Sequence, residues 1–308
     1  MRLWNLGACV LALLVVACGG EAVTTEQQAA GTVRFPLTSP APNGKVYRLM
    51  GATFELTGPQ TVTVTDTSTD TVLVPLTVGS YTARLGGTWR LEDMAAPGVT
   101  VPAQLLSPNP LPFFVDKDQP TQVRFQFKLA SEGSADVGIR VDNGGWLSGT
   151  IQFTALEHPS SEPSQFDELV GKSVPFLVSY ESAMIRKDNY SSKELNVTAV
   201  STTFQFGGAY SETLARAAAS MKGATIMFGL RVVSDGRISF AGLYPMNAPD
   251  PDAFRLEIAP SDMPFVGAVD GEGYPAPRPF QTTSPFVFLR DPLSSKGVRG
   301  TVTLNGSP

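Results

Sequence analysis

Short runs in which apolar residues alternate with hydroxyl-bearing or charged ones recur along almost the whole chain, and this period of two most restricts the fold. In a strand, residues two positions apart share a face. "QTVTVTD" therefore turns Val62 and Val64 inward and Thr61, Thr63 and Thr65 outward, "TVRFPL" turns in Val33 and Phe35, and "ATFELTG" turns in Phe54 and Leu56. "TVLVPLTVGSYTARL" makes two more strands around Gly79 and Ser80. "VRFQFKLASEGSADVGIRV" makes a hairpin across "SEGS", with Val123, Phe125 and Phe127 facing Val137, Ile139 and Val141. The 29 glycines and 25 prolines are spread throughout and punctuate runs rich in Val, Thr, Phe and Leu, which is the all-β signature.

The turn "DNGG" (Asp142 to Gly145) stops this series before alternation restarts at "WLSGTIQF". It divides the chain into antiparallel β-sandwich domains at 32–141 and 146–308; the alternative is one large sandwich with no boundary. The second half continues through "SVPFLVSY", "ELNVTAVSTTFQF", "ATIMFGLRVV", "RISFAGLY", "AFRLEIA", "SPFVFLR" and "VRGTVTL". "VVSDGRIS" places Asp-Gly between alternating strands, as a type I′ hairpin turn requires. "SETLARAAASMKG" is the single short helix, with Ser211 as N-cap, Leu214, Ala217, Ala218 and Met221 on one stripe and Gly223 as C′. It caps one end of the sandwich or offers a face to a partner.

"LTVGSYTARL" (Leu76 to Leu85) resembles the "LPxGxYxxxL" stretch of transthyretin-like and carboxypeptidase-regulatory-like sandwich domains, an immunoglobulin-like architecture. The resemblance implies that Gly79 makes the turn and that Tyr81 opens the next strand with its ring in the core. The family's proline is Thr77 or Val78 here. Such domains are mostly spacers and binding scaffolds.

The amino terminus gives an address. The apolar run from Leu6 to Ala17 is a dozen residues, whereas a helix crossing a bilayer core of roughly 30 Å takes about 20. With Met1 and Arg2 ahead of it and small residues at its end, it reads as an export signal over 1–17. "VVAC" (Val15 to Cys18) resembles the lipobox of bacterial lipoproteins, and the chain as a whole resembles surface lipoproteins of large bacterial genomes. That resemblance implies cleavage before Cys18, diacylglycerol on its sulfur and, with Gly19 following, passage to the outer membrane. The other reading is an ordinary secretory signal that holds a cysteine. Cys9 leaves with the signal, so the mature chain has no disulfide. The polar segment 18–31 reads as a flexible tether, which as a coil of about 13 residues stands the first domain roughly 20 Å from the lipid.

Formal charge is −5 and no basic block occurs, which disfavours nucleic acid as a partner. No phosphate-binding glycine loop appears, and no nucleotide or other cofactor is called for. His158 is the only histidine and lies in a loop of turn formers; with no G-x-S-x-G elbow and no second nitrogen ligand, it reads as solvated. Asp250 with Asp252, and Asp270 with Glu272, are calcium candidates without the twelve-residue pattern of a dedicated loop. They fall in a proline-rich stretch, 244–285, whose nine prolines accompany several aromatic rings. Within and beside it, Tyr274, Phe280, Trp89 and Trp146 form a candidate contact surface, set against the alternative that they pack inside.

Three functions from different classes follow: a non-enzymatic envelope module that is structural or binds a protein, a carbohydrate-binding or adhesion module, and an enzyme of undetected type. The first accounts for the absence of catalytic motifs. The implied partners are the membrane, through Cys18, and an envelope protein or glycan.

Overall fold

The computed structural model describes residues 29–307 except 41–44, 118–119, 130–135, 139–140, 143–144, 160, 248–251 and 262. Cys18, the export signal, most of the tether, the "SEGS" turn, Asn143 and Gly144 of the joint, and Asp250 lie outside the described residues. The fold is all-β, with one short helix and two separate cores.

The first body begins with strand Ala30–Pro36, two residues inside the expected tether. Ala30 and Gly31 pair with Thr77 and Leu76 of strand Thr71–Thr77. The largest sheet of this body is centred on Val46–Thr57 and Gly79–Asp93, with Thr61–Val64 on the former and Leu111–Val115 on the latter. A third sheet sets Ala103–Leu105 against Gln126–Leu129, Asp136–Gly138 and Val141–Asp142, with Phe127 opposite Val137. Alternation places the apolar members on common ground. Phe35 stacks on Phe54 at 4.7 Å between centroids, Phe54 lies 6.0 Å from Phe125, and one continuous core runs from Val33 to Leu129.

Gly79 stands where the chain leaves one sheet for the other, so the strands on either side of it do not pair together. Its φ is +146°, and a Cβ there would come within 2.7 Å of Pro59 Cγ, so the crossing takes glycine. Two residues on, the Tyr81 ring is buried and stacks on Phe113 at 5.6 Å.

The second body is one antiparallel sheet of ten strands. Its order is Ser182–Asn189, Lys193–Val200, Thr225–Val232, Ile238–Asn247, Arg255–Ile258, Phe280–Asp291, Lys296–Ser307, Trp146–Leu156, Ser173–Ser179 and Thr203–Phe206. The sheet curls until both layers of the sandwich come from it. Tyr180, just past the ninth strand, meets Phe228 of the third at 5.9 Å across the core. Pro285 sits in strand Phe280–Asp291 where the register shifts between Ser284 and Val287, a bulge that needs no ladder hydrogen from it.

Before that bulge Thr282 and Ser284 point inward where apolar residues would alternate. Buried hydroxyls earn that place by bonding backbone beyond the short strand Arg255–Ile258: Ser284 Oγ donates to the Ala259 carbonyl at 2.7 Å and Ser239 Oγ to that of Ser261 at 2.7 Å. The "SDG" turn differs from the type I′ expectation. Only Gly236 has positive φ, +79°, and its N–H bonds the Val233 carbonyl at 2.9 Å. This is a three-residue loop ending in left-handed glycine, held by Asp235 Oδ1 accepting from the Arg237 N–H at 3.0 Å.

The helix spans Glu212–Ser220, capped by Ser211 Oγ accepting from the Leu214 N–H at 3.2 Å. Leu214, Ala217 and Met221 are buried and Ala218 packs against the core. Gly223 takes the left-handed conformation, but one residue later than expected, because Met221 is the C-cap.

The two cores divide between Leu129 and Leu147, and the bodies are docked. Gln205 is the link: its Nε2 donates to the Arg124 carbonyl at 3.1 Å and its Oε1 accepts from Ser107. Gly207 passes so close that a Cβ would lie 2.4 Å from Pro108 Cβ.

Candidate binding cleft between the two bodies

Where the bodies meet they leave a cleft of about 420 Å³ lined from both sides, within the size range of small-molecule sites and at the kind of place such sites favour. Leu111 and Phe113 reach it from one strand of the first body, and Gln122, Arg124 and Gln126 from the segments that follow. Phe204, Gln205 and Phe206 form the floor. The far wall is the helix face that carries Leu214, Ala215 and Ala218, with the N-cap Ser211 ahead of it and Lys222 in the turn past its end.

The space exists because that stripe is thin. Positions 215 and 218 carry only methyl groups, while the leucine of the same stripe is committed to the core. At one end the Tyr210 ring stands 6.1 Å from Phe114, joining the bodies a second time. Burial raises the Tyr210 pKa, and the nearby Glu212 and Glu168 carboxylates push it the same way. Its hydroxyl stays protonated at neutral pH and is available as a donor. Ser211 Oγ donates to Glu168 Oε1 at 2.5 Å, which ties this end of the wall to the turn ahead of Leu169.

The four aromatic residues read as a contact surface are not brought together. Phe280 is 8% exposed and stacks on Phe265 at 5.8 Å and Phe240 at 6.0 Å. Trp146 is 7% exposed and lines a separate hollow at the joint with Leu105, Leu106 and Phe280. Trp89 is half-buried against Phe127 at 5.0 Å. The reason is register: Phe280 and Trp146 open strands on their inward phase, and Trp89 packs over the first core. Tyr274 is half-buried under two ammonium groups, Lys187 Nζ at 5.2 Å and Lys193 Nζ at 5.4 Å from its centroid.

The carboxylates read as calcium candidates have another task. Lys187 Nζ bridges Asp270 Oδ2 at 2.7 Å and Glu272 Oε2 at 2.5 Å, and Lys193 bonds the Glu272 carbonyl. Asp270 Oδ1 also accepts the N–H groups of Glu272 and Tyr274, at 2.9 and 3.0 Å. These bonds hold the Asp270 carboxyl below its ordinary pKa, the Lys187 bond foremost. The result is a latch that pins the proline-rich loop to the Ser182–Val200 hairpin. Asp252 is exposed in a turn. Among the described residues no group of three His, Cys, Asp or Glu side chains is placed to hold a metal ion.

His158 is exposed beside Glu157, at the rim of a shallow hollow formed with Arg290 and Lys296. There Arg290 holds Glu157 through Nε at 2.7 Å and Nη2 at 2.5 Å and Glu257 through Nη1 at 2.6 Å, and lies over the Phe288 ring at 4.5 Å. Its hydrogen bonds hold the Glu157 carboxyl below the usual range.

Sequence reasoning missed the cleft residues Arg124, Gln205, Tyr210, Ala215 and Lys222. One signal was legible, the short reach of the alanine-rich helix stripe, but the strand facing it belongs to the other body and 98 residues separate Ser107 from Gln205. No protein-family model, no curated protein and no solved structure matches the chain.

Proposed function

We propose that this is a lipid-anchored cell-envelope protein acting as a structural or protein-interaction module, without enzymatic activity. The observation that carries the reading is "VVAC" at the end of an apolar run too short to span, leaving Cys18 as the sole cysteine after cleavage. No helix among the described residues is long and apolar enough to cross a membrane. Lipid on Cys18 would then hold two docked β bodies on a tether, and more than one acyl chain would make that attachment stable. The docked interface supports an interaction role, since it presents one composite surface rather than two loose domains. The test is Cys18→Ser in the native cell. The variant is expected to leave the membrane fraction or accumulate uncleaved; retention in the membrane fraction with normal processing would contradict the proposal.

A further inference from the structure

We propose that the edge strand Ser182–Asn189 is a dimer interface: two copies of this chain join through it, antiparallel about a two-fold axis at Ile185, into one continuous sheet. The proposal goes beyond the envelope-module reading and does not rest on it.

The ten-stranded sheet has two edges, and the chain treats them differently. Thr203–Phe206 has four residues and docks on the first body through Gln205. Ser182–Asn189 has eight residues and, among the described residues, pairs only with Lys193–Val200, in unbroken register. On its free side alternate residues present N–H and C=O groups that a further strand can take up. Neither a proline nor a bulge blunts this edge. Its charges, which would otherwise guard it, are engaged within the chain. Lys187 is held by Asp270 and Glu272, and Asp188 Oδ2 takes Arg186 Nη2 at 2.8 Å and the Asn196 amide at 2.8 Å.

The occupant follows from the row in which Ile185 stands. Leu243, Phe228, Val197 and Ile185 lie opposite one another on successive strands. The first three are at most 1% exposed, whereas Ile185 is 45% exposed, so a core row ends in an apolar side chain whose outer flank is uncovered. A second copy with Ile185 on the axis continues that row into its own image. The strand's sequence suits this pairing, because its first half is uncharged and Arg186, Lys187 and Asp188 fall in its second. Antiparallel self-pairing then sets Ser182 opposite the second copy's Asp188, small Ala183 opposite its Lys187 and Met184 opposite its Arg186. No like charges meet. On the outer face the two Met184 side chains, each 66% exposed, become diagonal neighbours. Moving the axis to Arg186, the other register of equal overlap, would set two guanidinium groups opposite each other. A two-fold contact closes at two copies.

The test uses the chain from residue 18 onward carrying Cys18→Ser, which keeps every described residue and leaves no cysteine. Sedimentation equilibrium is expected to show monomer and dimer exchanging within about 1 to 300 µM, the range of a small interface, and no larger species. Ser182→Asp, which sets a carboxylate opposite the second copy's Asp188, is expected to weaken the dimer about fivefold, and Ser182→Lys to strengthen it. Ile185→Glu is expected to leave monomer alone with unchanged circular dichroism; should it lower the melting temperature, the Ser182 variants carry the test. Ile185→Cys is expected to be joined into a dimer by a short bismaleimide at least about tenfold faster than Asn189→Cys, whose two sulfurs stand about 26 Å apart in this register. Monomer throughout the range, species larger than a dimer, equal crosslinking at the two cysteines, or a dimer indifferent to both Ser182 variants would each overturn the proposal. None of these outcomes bears on membrane attachment, which Cys18→Ser in the cell tests separately.

Discussion

Ser107 Oγ donates a 2.7 Å hydrogen bond to Gln205 Oε1 across the joint, while accepting the Gln126 N–H at 2.7 Å. One hydroxyl thus ties the edge strand of the second body to the last sheet of the first. Gln205→Leu removes both side-chain bonds of the link and strands a buried hydroxyl, for an expected loss of about 1–3 kcal/mol in chemical denaturation. The same variant is expected to separate the unfolding of the two cores into two transitions. A single unchanged transition would show that the bodies are coupled elsewhere.

Phe280 and Tyr274 are predicted to behave differently although both belong to the proline-rich stretch 244–285. Phe280→Ala empties a stacked core position and is expected to cost about 3–5 kcal/mol. Tyr274→Ala removes a half-buried ring beneath two ammonium groups and is expected to cost about 1 kcal/mol, the scale of such contacts near the surface. Equal losses in urea melts would contradict the placement of these rings.

Arg290 makes stability depend on acid in a defined direction. Its hydrogen bonds hold Glu157 below the carboxylate's unfolded value, so the contribution is complete above about pH 4.3 and is lost as pH falls through the lower folded value. Arg290→Gln is expected to cost about 1–2 kcal/mol at pH 7. Melting curves from pH 7 to pH 2.5 are expected to show wild type and variant converging below about pH 4. A constant gap between them would mean that Arg290 acts through packing on Phe288 alone.

Gly149 and Gly300 lie where neighbouring backbones press together: a Cβ would fall 1.9 Å from the Thr303 carbonyl oxygen at the first and 2.1 Å from that of Gln152 at the second. Gly149→Val is expected to keep the second body from reaching its native melting temperature, whereas Gly98→Ala, with open space around it, is expected to cost only the backbone strain of its left-handed turn, about 1–2 kcal/mol. Similar melting temperatures for the two variants would contradict this sheet register.

Much of the fold was legible because burial in an antiparallel sheet writes itself as alternation. Phe54 and Leu56 are inward and pair with Val64 and Val62 as their phase requires. The helix showed its cap and its stripe. The sheet order was not legible, since pairing of Lys296–Ser307 with Trp146–Leu156 joins segments far apart in sequence that share only generic β character. The inward phase of Phe280 was hidden because Thr282 and Ser284 follow it inward, and hydroxyls satisfied by distant backbone look like a polar face when read locally. The lysines that engage Asp270 and Glu272 could not be seen from the loop itself, because they come from a hairpin some 80 residues away. Charge pairing between remote segments leaves no local pattern.

The membrane address is tested most directly by mass spectrometry of the amino-terminal peptide of the protein isolated from its native envelope. The mature chain is expected to start at Cys18, and this residue to carry a diacylglyceryl thioether and an amide-linked acyl chain. A mature chain starting elsewhere, or starting at an unmodified Cys18, would contradict it.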